Sequence, residues 1–253
     1  MRSRNHSALI SFTLTALLSQ LGSIPVASAI PTHPIDHDHD QKSDDLPNPP
    51  TTPIPDGNRT PGGSLSGDQA VCPPRAQQLT AITPISAQGK TLSGHPTFWF
   101  YVPYTAAEVQ EGEFSILTQN EDERIYKTLF QLPAEPGFVS ITLPMDEVSS
   151  LQEGQYYHWY LNLSCASTVE AQTDLNIDGW VQRVASTSEV DAQASDASSD
   201  IWYDLVDNLA AQLQAVSGNN VELEQSWVEL LEAVELEALT QEPVIGPVKL
   251  IDR

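Results

Sequence analysis

Two groups of polar side chains in this sequence have the types and spacing to do chemistry, and two isolated histidines stand beside them. His33-x-x-x-His37-Asp38-His39-Asp40 sets imidazoles beside carboxylates, a donor combination suited to Zn, Cu or Ni. It lies in a Pro- and Asp-rich stretch that offers no surrounding hydrogen bonds to orient a metal-bound imidazole. A solvated tail is therefore the expectation, with His33, His37 and His39 kept only as weak metal candidates. Asp174-x-Asn176-x-Asp178-Gly179 matches the first half of a calcium loop of the EF-hand type. Position twelve would be Ala185 where a bidentate Glu is needed, so this motif is expected to be a structural turn. His158, between Tyr157 and Trp159, reads as a cross-strand or edge histidine, with a general base as the rival reading. His95 has no partner motif. Gly-x-Ser-x-Gly, His-Glu-x-x-His and phosphate-cradling glycine loops are all missing from the sequence. Carboxylate pairs such as Asp146-Glu147 arise readily in so acidic a chain, and spacing alone does not make them a glycosidase pair. No catalytic residue, metal or cofactor is assigned.

The aromatic residues are the other candidates. Trp99, Tyr101, Tyr104, Tyr160 and Trp180, with Tyr156 and Trp159 nearby, could present a platform for stacking against sugars or for gripping a protein. The competing use of any one of them is as core. Trp202 and Trp227 are expected to be structural, covering one face of the domain, whereas Tyr104 and Tyr160 are expected to be exposed. Cys72 and Cys165 form an even pair without the further donors a thiolate metal site would need, so a disulfide is expected. Closing a loop of about 94 residues would contribute roughly 4 kcal/mol in the chain-entropy picture.

The chain opens with a positive segment (Arg2, Arg4), an apolar run from Ala8 to Leu18, and Ala27-Ser28-Ala29. That order predicts a secretory signal peptide over 1–29 and a periplasmic or secreted product. The apolar run is too short for a membrane-spanning helix, and none later is longer. Losing Arg2 and Arg4 moves the formal charge from −23 to −25. Counterion release cannot drive nucleic-acid binding in a protein so poor in cations.

What positions these residues is a set of short strands. Residues 30–67 carry eight prolines before Gly62 and almost nothing to bury, which predicts a dispensable disordered spacer. A β domain is expected over 68–185. Its strands are Thr97 to Tyr104 (TFWFYVPY, apolar on both faces), Glu113 to Leu117, Arg124 to Leu132, Phe138 to Leu143, Gln155 to Cys165, and Leu175 to Val184 with a kink at Gly179. Leu151-x-x-Gly154-x-x-Tyr157 is similar to the tyrosine corner of immunoglobulin and fibronectin type III domains, which predicts an antiparallel β-sandwich of that kind. A polar linker over 186–199 follows. Ile201, Trp202, Leu205, Val206, Leu209, Leu213 and Val216 then share one helical face, and Trp227, Leu230, Leu231 and Val234 another. They predict a helical hairpin over 200–243, docked on the sandwich and stopped by Pro243, with a tail over 244–253.

Thr80-Ala81-Ile82-Thr83-Pro84, the Pro96 to Tyr104 strand, the Gly137 loop before ITLP, Leu151 to Trp159, Gly179 to Val184 and Ile201-Trp202-Tyr203-Asp204 together resemble the domain of unknown function 928 family, over about Leu79 to Pro243. The resemblance implies an extracytoplasmic protein of a family described chiefly from cyanobacteria, and no established activity. The resulting expectation is a non-enzymatic envelope module that binds a protein or glycan partner. The alternative is a cell-wall hydrolase using an acid or His158.

Overall fold

The computed structural model describes residues 54–62, 72–165, 174–186, 201–215 and 220–251. The leader, the His33, His37 and His39 cluster and residues 187–199 of the linker lie outside the described residues.

Among the described residues the strands are β1 (Thr80–Ala81), β2 (Gln88–Thr91), β3 (Thr97–Val102), β4 (Val109–Thr118), β5 (Arg124–Gln131), β6 (Gly137–Thr142), β7 (Tyr156–Cys165), β8 (Asp174–Arg183), β9 (Val244–Pro247) and β10 (Lys249–Ile251). Helices α1 (Trp202–Ala215) and α2 (Val221–Ala233) stand between β8 and β9. The strands form a four-stranded sheet, ordered β1-β3-β6-β9, and a six-stranded sheet, ordered β10-β5-β4-β7-β8-β2.

The apolar character of β3 on both faces has a direct cause. Phe98, Phe100 and Val102 share a core with Phe114, Ile116, Trp159 and Leu161 of the six-stranded sheet. Phe98 and Phe114 have ring centroids 5.0 Å apart, and Phe100 meets Trp159 edge-on at 5.6 Å. Trp99 and Tyr101, alternating with them, share a second core with Phe138, Trp202, Trp227 and Leu231. The four-stranded sheet is thus a middle layer, with helices on one side and the larger sheet on the other. A strand covered on both faces loses the polar alternation of a solvated one. Each large side chain so buried contributes about 2–3 kcal/mol.

Helix α1 is fastened by three consecutive residues, Trp202 lying in the second core and Tyr203 reaching into the first. The indole N–H of Trp202 donates to the Ile82 carbonyl at 2.7 Å. The Tyr203 hydroxyl accepts from Trp159 Nε1 at 2.7 Å and donates to the Trp180 carbonyl at 3.0 Å. Asp204 accepts from the Leu92 amide at 3.1 Å, and burial raises its carboxyl above the ordinary value despite that bond. A buried polar atom left unpaired costs about 1–3 kcal/mol, so these bonds fix where the helix can sit.

Several expectations are corrected. The sheets are not purely antiparallel, since β2 runs parallel to β8 and β9 parallel to β6. The helices lie in the connection that brings the chain back to β6, and a parallel neighbour requires such a crossover. The expected spacer 30–67 is not without structure throughout, because residues 54–62 form a strap on the domain. The Asp178 amide donates to the Asn58 carbonyl at 3.0 Å, and the Ala81 amide to the Arg59 carbonyl at 2.8 Å. Arg59 Nη1 donates to the Thr83 and Val234 carbonyls at 3.2 and 2.6 Å. Backbone pairing and one long side chain do the work that apolar burial does elsewhere, so composition gave no sign of it. A Cβ on Gly57 would lie 2.6 Å from the Asp178 carbonyl oxygen.

The expected tail 244–253 supplies β9 and β10. Helix α2 ends at Ala233, ten residues before Pro243. Glu235 takes φ 58°, and the Leu236 and Glu235 amides close on the Leu231 and Glu232 carbonyls at 2.9 and 3.1 Å. This is a Schellman ending with Glu where Gly is usual, so no glycine marks it in the sequence. Asn220 belongs to the start of α2, where its side chain accepts from the Leu223 amide. Strand β8 continues through Gly179 without a register shift. That glycine makes room for the Trp159 indole, which a Cβ would meet at 2.4 Å. Cys72 and Cys165 are joined with Cα atoms 5.2 Å apart, anchoring the chain before β1 to the end of β7.

Candidate functional site

The structure divides the expected partner-binding aromatics. Trp99, Tyr101 and Tyr104 are 4%, 3% and 6% exposed. The indole of Trp99 donates to Asp207 Oδ1 of α1 at 3.0 Å. The Tyr101 ring meets Phe138 edge-on at 5.6 Å, and its hydroxyl is pushed up to about 12 by burial and then by Glu242. Tyr104 lies beneath the Arg75 guanidinium, 5.5 Å from its ring centre. These three belong to the core and its rim, so the expectation that Tyr104 is exposed is wrong. The outer layers leave no free face for them.

Half-exposed Tyr160 and Trp180, which is itself only 5% exposed and so offers no free ring face, come together on the outer side of the six-stranded sheet, around His158. Along β7 the odd-numbered Tyr157, Trp159, Leu161 and Leu163 face the core, so alternation turns Tyr156, His158, Tyr160 and Asn162 outward. Register then places His158 opposite Trp180, Tyr160 opposite Asp178, and Asn162 opposite Asn176 on β8. The imidazole stacks on the Trp180 indole with centroids 3.9 Å apart and planes 10° from parallel. Its Nδ1 is 2.7 Å from Glu121 Oε1, and its Nε2 is 2.9 Å from Asp178 Oδ2. The Tyr160 hydroxyl donates to the same Glu121 oxygen at 2.8 Å and lies 2.8 Å from His158 Nδ1. Asn58 of the strap donates to the other Asp178 oxygen at 2.8 Å. Glu121 sits in the turn between β4 and β5 with φ 58°, a left-handed conformation unfavourable for a residue with a side chain.

The electrostatics follow from these bonds. Hydrogen bonds from His158 and then Tyr160 hold the Glu121 carboxyl below its ordinary value. Burial pushes Asp178 upward, but bonds from His158 and Asn58 outweigh it and leave that carboxyl lowered as well. Burial and Glu121 push the Tyr160 hydroxyl well up, so it stays a proton donor. His158 itself is only 8% exposed. With a carboxylate at each ring nitrogen, it has no free position from which to take a proton from a substrate.

The partial calcium motif lies on β8 rather than in a turn. An extended strand spaces Asp174, Asn176 and Asp178 roughly 6.6 Å apart in a row, where a calcium loop would wrap them round one ion. Asn176 bonds to Asn162 across the strands at 2.6 Å. Among the described residues no group of three or more His, Cys, Asp or Glu is placed to hold a metal ion. His95 lines a separate groove of about 390 Å³ with Met145, Glu147, Gln152 and Arg183, and its Nε2 pairs with the Asp146 carbonyl at 2.9 Å. The association of Glu121 and Asp178 with His158 spans 37 and 20 residues of sequence. The sequence pointed to it only through the alternation along β7.

The fold is a mainly β domain of two sheets with a C-terminal pair of helices and a disulfide tying its start to β7. The sequence matches the family model of the Domain of Unknown Function (DUF928) over residues 57–244, and the chain belongs to that family. The match begins at Gly57, whose amide makes the strap's first backbone-to-backbone bond to the domain, and ends in β9. A comparison with curated proteins found no match. Among the described residues no helix is long and apolar enough to cross a membrane.

Proposed function

We propose that this is an exported, non-enzymatic binding module that recognises a hydroxyl-rich, uncharged partner, a glycan of the cell envelope, through the outer face of its six-stranded sheet. The observation that carries this reading is the face itself. Among the described residues no helix covers it, and on it half-exposed Tyr156, Tyr160 and Asn162 and exposed Asn176 surround a His158–Trp180 stack pinned by Glu121 and Asp178. Aromatic rings supply flat apolar area, while side-chain amides and the phenol supply hydrogen bonds to hydroxyls. Because every polar atom of His158 is already engaged, little ordering would remain to oppose binding.

Export to the periplasm or beyond rests on the leader sequence and accords with the disulfide. The bond from the Gln152 amide to the Tyr157 hydroxyl, 2.9 Å, supports placing the two sheets with the immunoglobulin-type sandwiches. The engaged His158 and the protonated Tyr160 phenol weigh against a hydrolase built on this cluster.

Immobilised neutral oligosaccharides, beside matched acidic oligosaccharides and peptides, test the reading. Binding to neutral glycans without turnover is expected. Binding to peptides alone would assign the face to a protein partner, and hydrolysis abolished by Asp178→Asn would overturn the reading.

A further inference from the structure

We infer that Tyr160, His158 and Glu121 form a proton-operated latch that fastens the β4–β5 turn to the face just described. The inference rests on reading that face as the recognition surface, and it concerns how the face is regulated. When both ring nitrogens of His158 carry protons, Nδ1–H donates to Glu121 and Nε2–H to Asp178, as the 2.7 and 2.9 Å separations require. Loss of one proton to water leaves one nitrogen lone pair facing a carboxylate, and that contact must break.

The two sides differ in how easily they give way. Asp178 is buried and also held by Asn58 from the strap, so it cannot turn away. The Glu121 side chain is 47% exposed and stands in a turn whose φ of 58° is itself unfavourable. The Tyr160 hydroxyl already lies 2.8 Å from both Glu121 Oε1 and His158 Nδ1. Once Nδ1 has lost its proton, that hydroxyl rotates to donate to the nitrogen and keeps its own proton. Glu121 then loses both donors and swings to solvent, and the turn relaxes.

The groups facing the imidazole are Glu121 from the turn, Asp178 from β8 and Tyr160 from β7. Trp180, Asn58 and Leu117, which is opposite His158 on β4, carry no charge. The latch is therefore closed when both ring nitrogens of His158 carry protons and open when Nδ1 is bare.

The test uses the full chain without a partner, so its outcome does not depend on whether the face binds glycans. Nitrogen NMR of the His158 ring and amide exchange of residues 119–123 would be followed together as the pH is raised, exchange being taken relative to the intrinsic rate at each pH. The expected neutral ring carries its proton on Nε2, and protection of the Glu121 and Glu123 amides, which donate to the Thr118 carbonyl and hydroxyl, falls several-fold over the same range. Glu121→Gly, which suits the left-handed backbone and removes the carboxylate, should abolish that coupled fall. A neutral ring protonated on Nδ1 would overturn the latch. So would a pH-coupled loss of protection that persists in Glu121→Gly.

Discussion

Strands β3 and β7 are alike in sequence, each dense in aromatic residues, yet one is wholly buried and the other has one face turned outward. β3 runs through the middle layer, so Trp99 and Tyr101 are covered by the helices and Phe98 and Phe100 by the larger sheet. β7 runs through an outer layer. Its Trp159 and Leu161 are core, while Tyr156 and Tyr160 are half-exposed and His158 is roofed by polar partners. Aromatic density therefore says that a strand is covered or binds something, and layer position decides which.

The comparison can be broken most forcefully at the helical layer. Trp202→Ala removes a buried indole together with its bond to Ile82, and should lower the unfolding free energy by about 3–5 kcal/mol in urea titrations. A loss below 1 kcal/mol would mean that the helices do not cover β3 as described. Reducing the Cys72–Cys165 bridge should cost about 2–5 kcal/mol, read as a fall in the thermal midpoint on adding reductant. Were stability unmoved, the bridge would not be closing its long loop in solution.

A smaller effect is expected from pH. Glu121 and Asp178 are held below their ordinary carboxyl values, so the unfolded chain takes up protons first as the pH falls. Their contribution to stability is complete just above the ordinary carboxylate range, while the latch is closed, and is lost as acidification carries the pH down through the folded-state values. Neutralising the excess negative charge acts in the opposite sense, relieving self-repulsion in every variant alike. The difference between native protein and Asp178→Asn isolates the site, and the variant should show the shallower acid decline in urea midpoints. Smallest of all, Tyr160→Phe deletes one half-exposed hydroxyl and should change stability by no more than about 1 kcal/mol.

Much of the fold was legible because period-two alternation and turn residues are local signals. β3 to β8 carry such signals, both helices carry an apolar period near four, and the two cysteines allow a single pairing. The elements that escaped carry none. Thr80–Ala81 is two residues long, β2 reads Gln-Gly-Lys-Thr, and β9 and β10 are defined by the strands they meet. The strap is held by backbone pairing and Arg59, in a stretch whose prolines spell disorder. The α2 ending uses Glu235 at a glycine position. At the candidate site, His158, Tyr160 and Trp180 stood out as side chains, but their grouping depended on cross-strand register. Glu121 and Asp178 looked like a turn acid and part of a calcium motif until the β4–β5 turn and β8 were placed either side of β7.

The central claim, that recognition belongs to the outer face of β7 and β8 while the β3 aromatics are structural, is tested most directly by one paired measurement. Tyr160→Ala and Tyr104→Ala would be compared for binding to immobilised neutral oligosaccharides and for thermal midpoint in the same preparations. The account expects Tyr160→Ala to lose binding with its midpoint nearly unchanged, and Tyr104→Ala to lose several degrees with binding intact below its transition. Binding abolished by Tyr104→Ala at native stability, with Tyr160→Ala binding as the unaltered protein does, would contradict it.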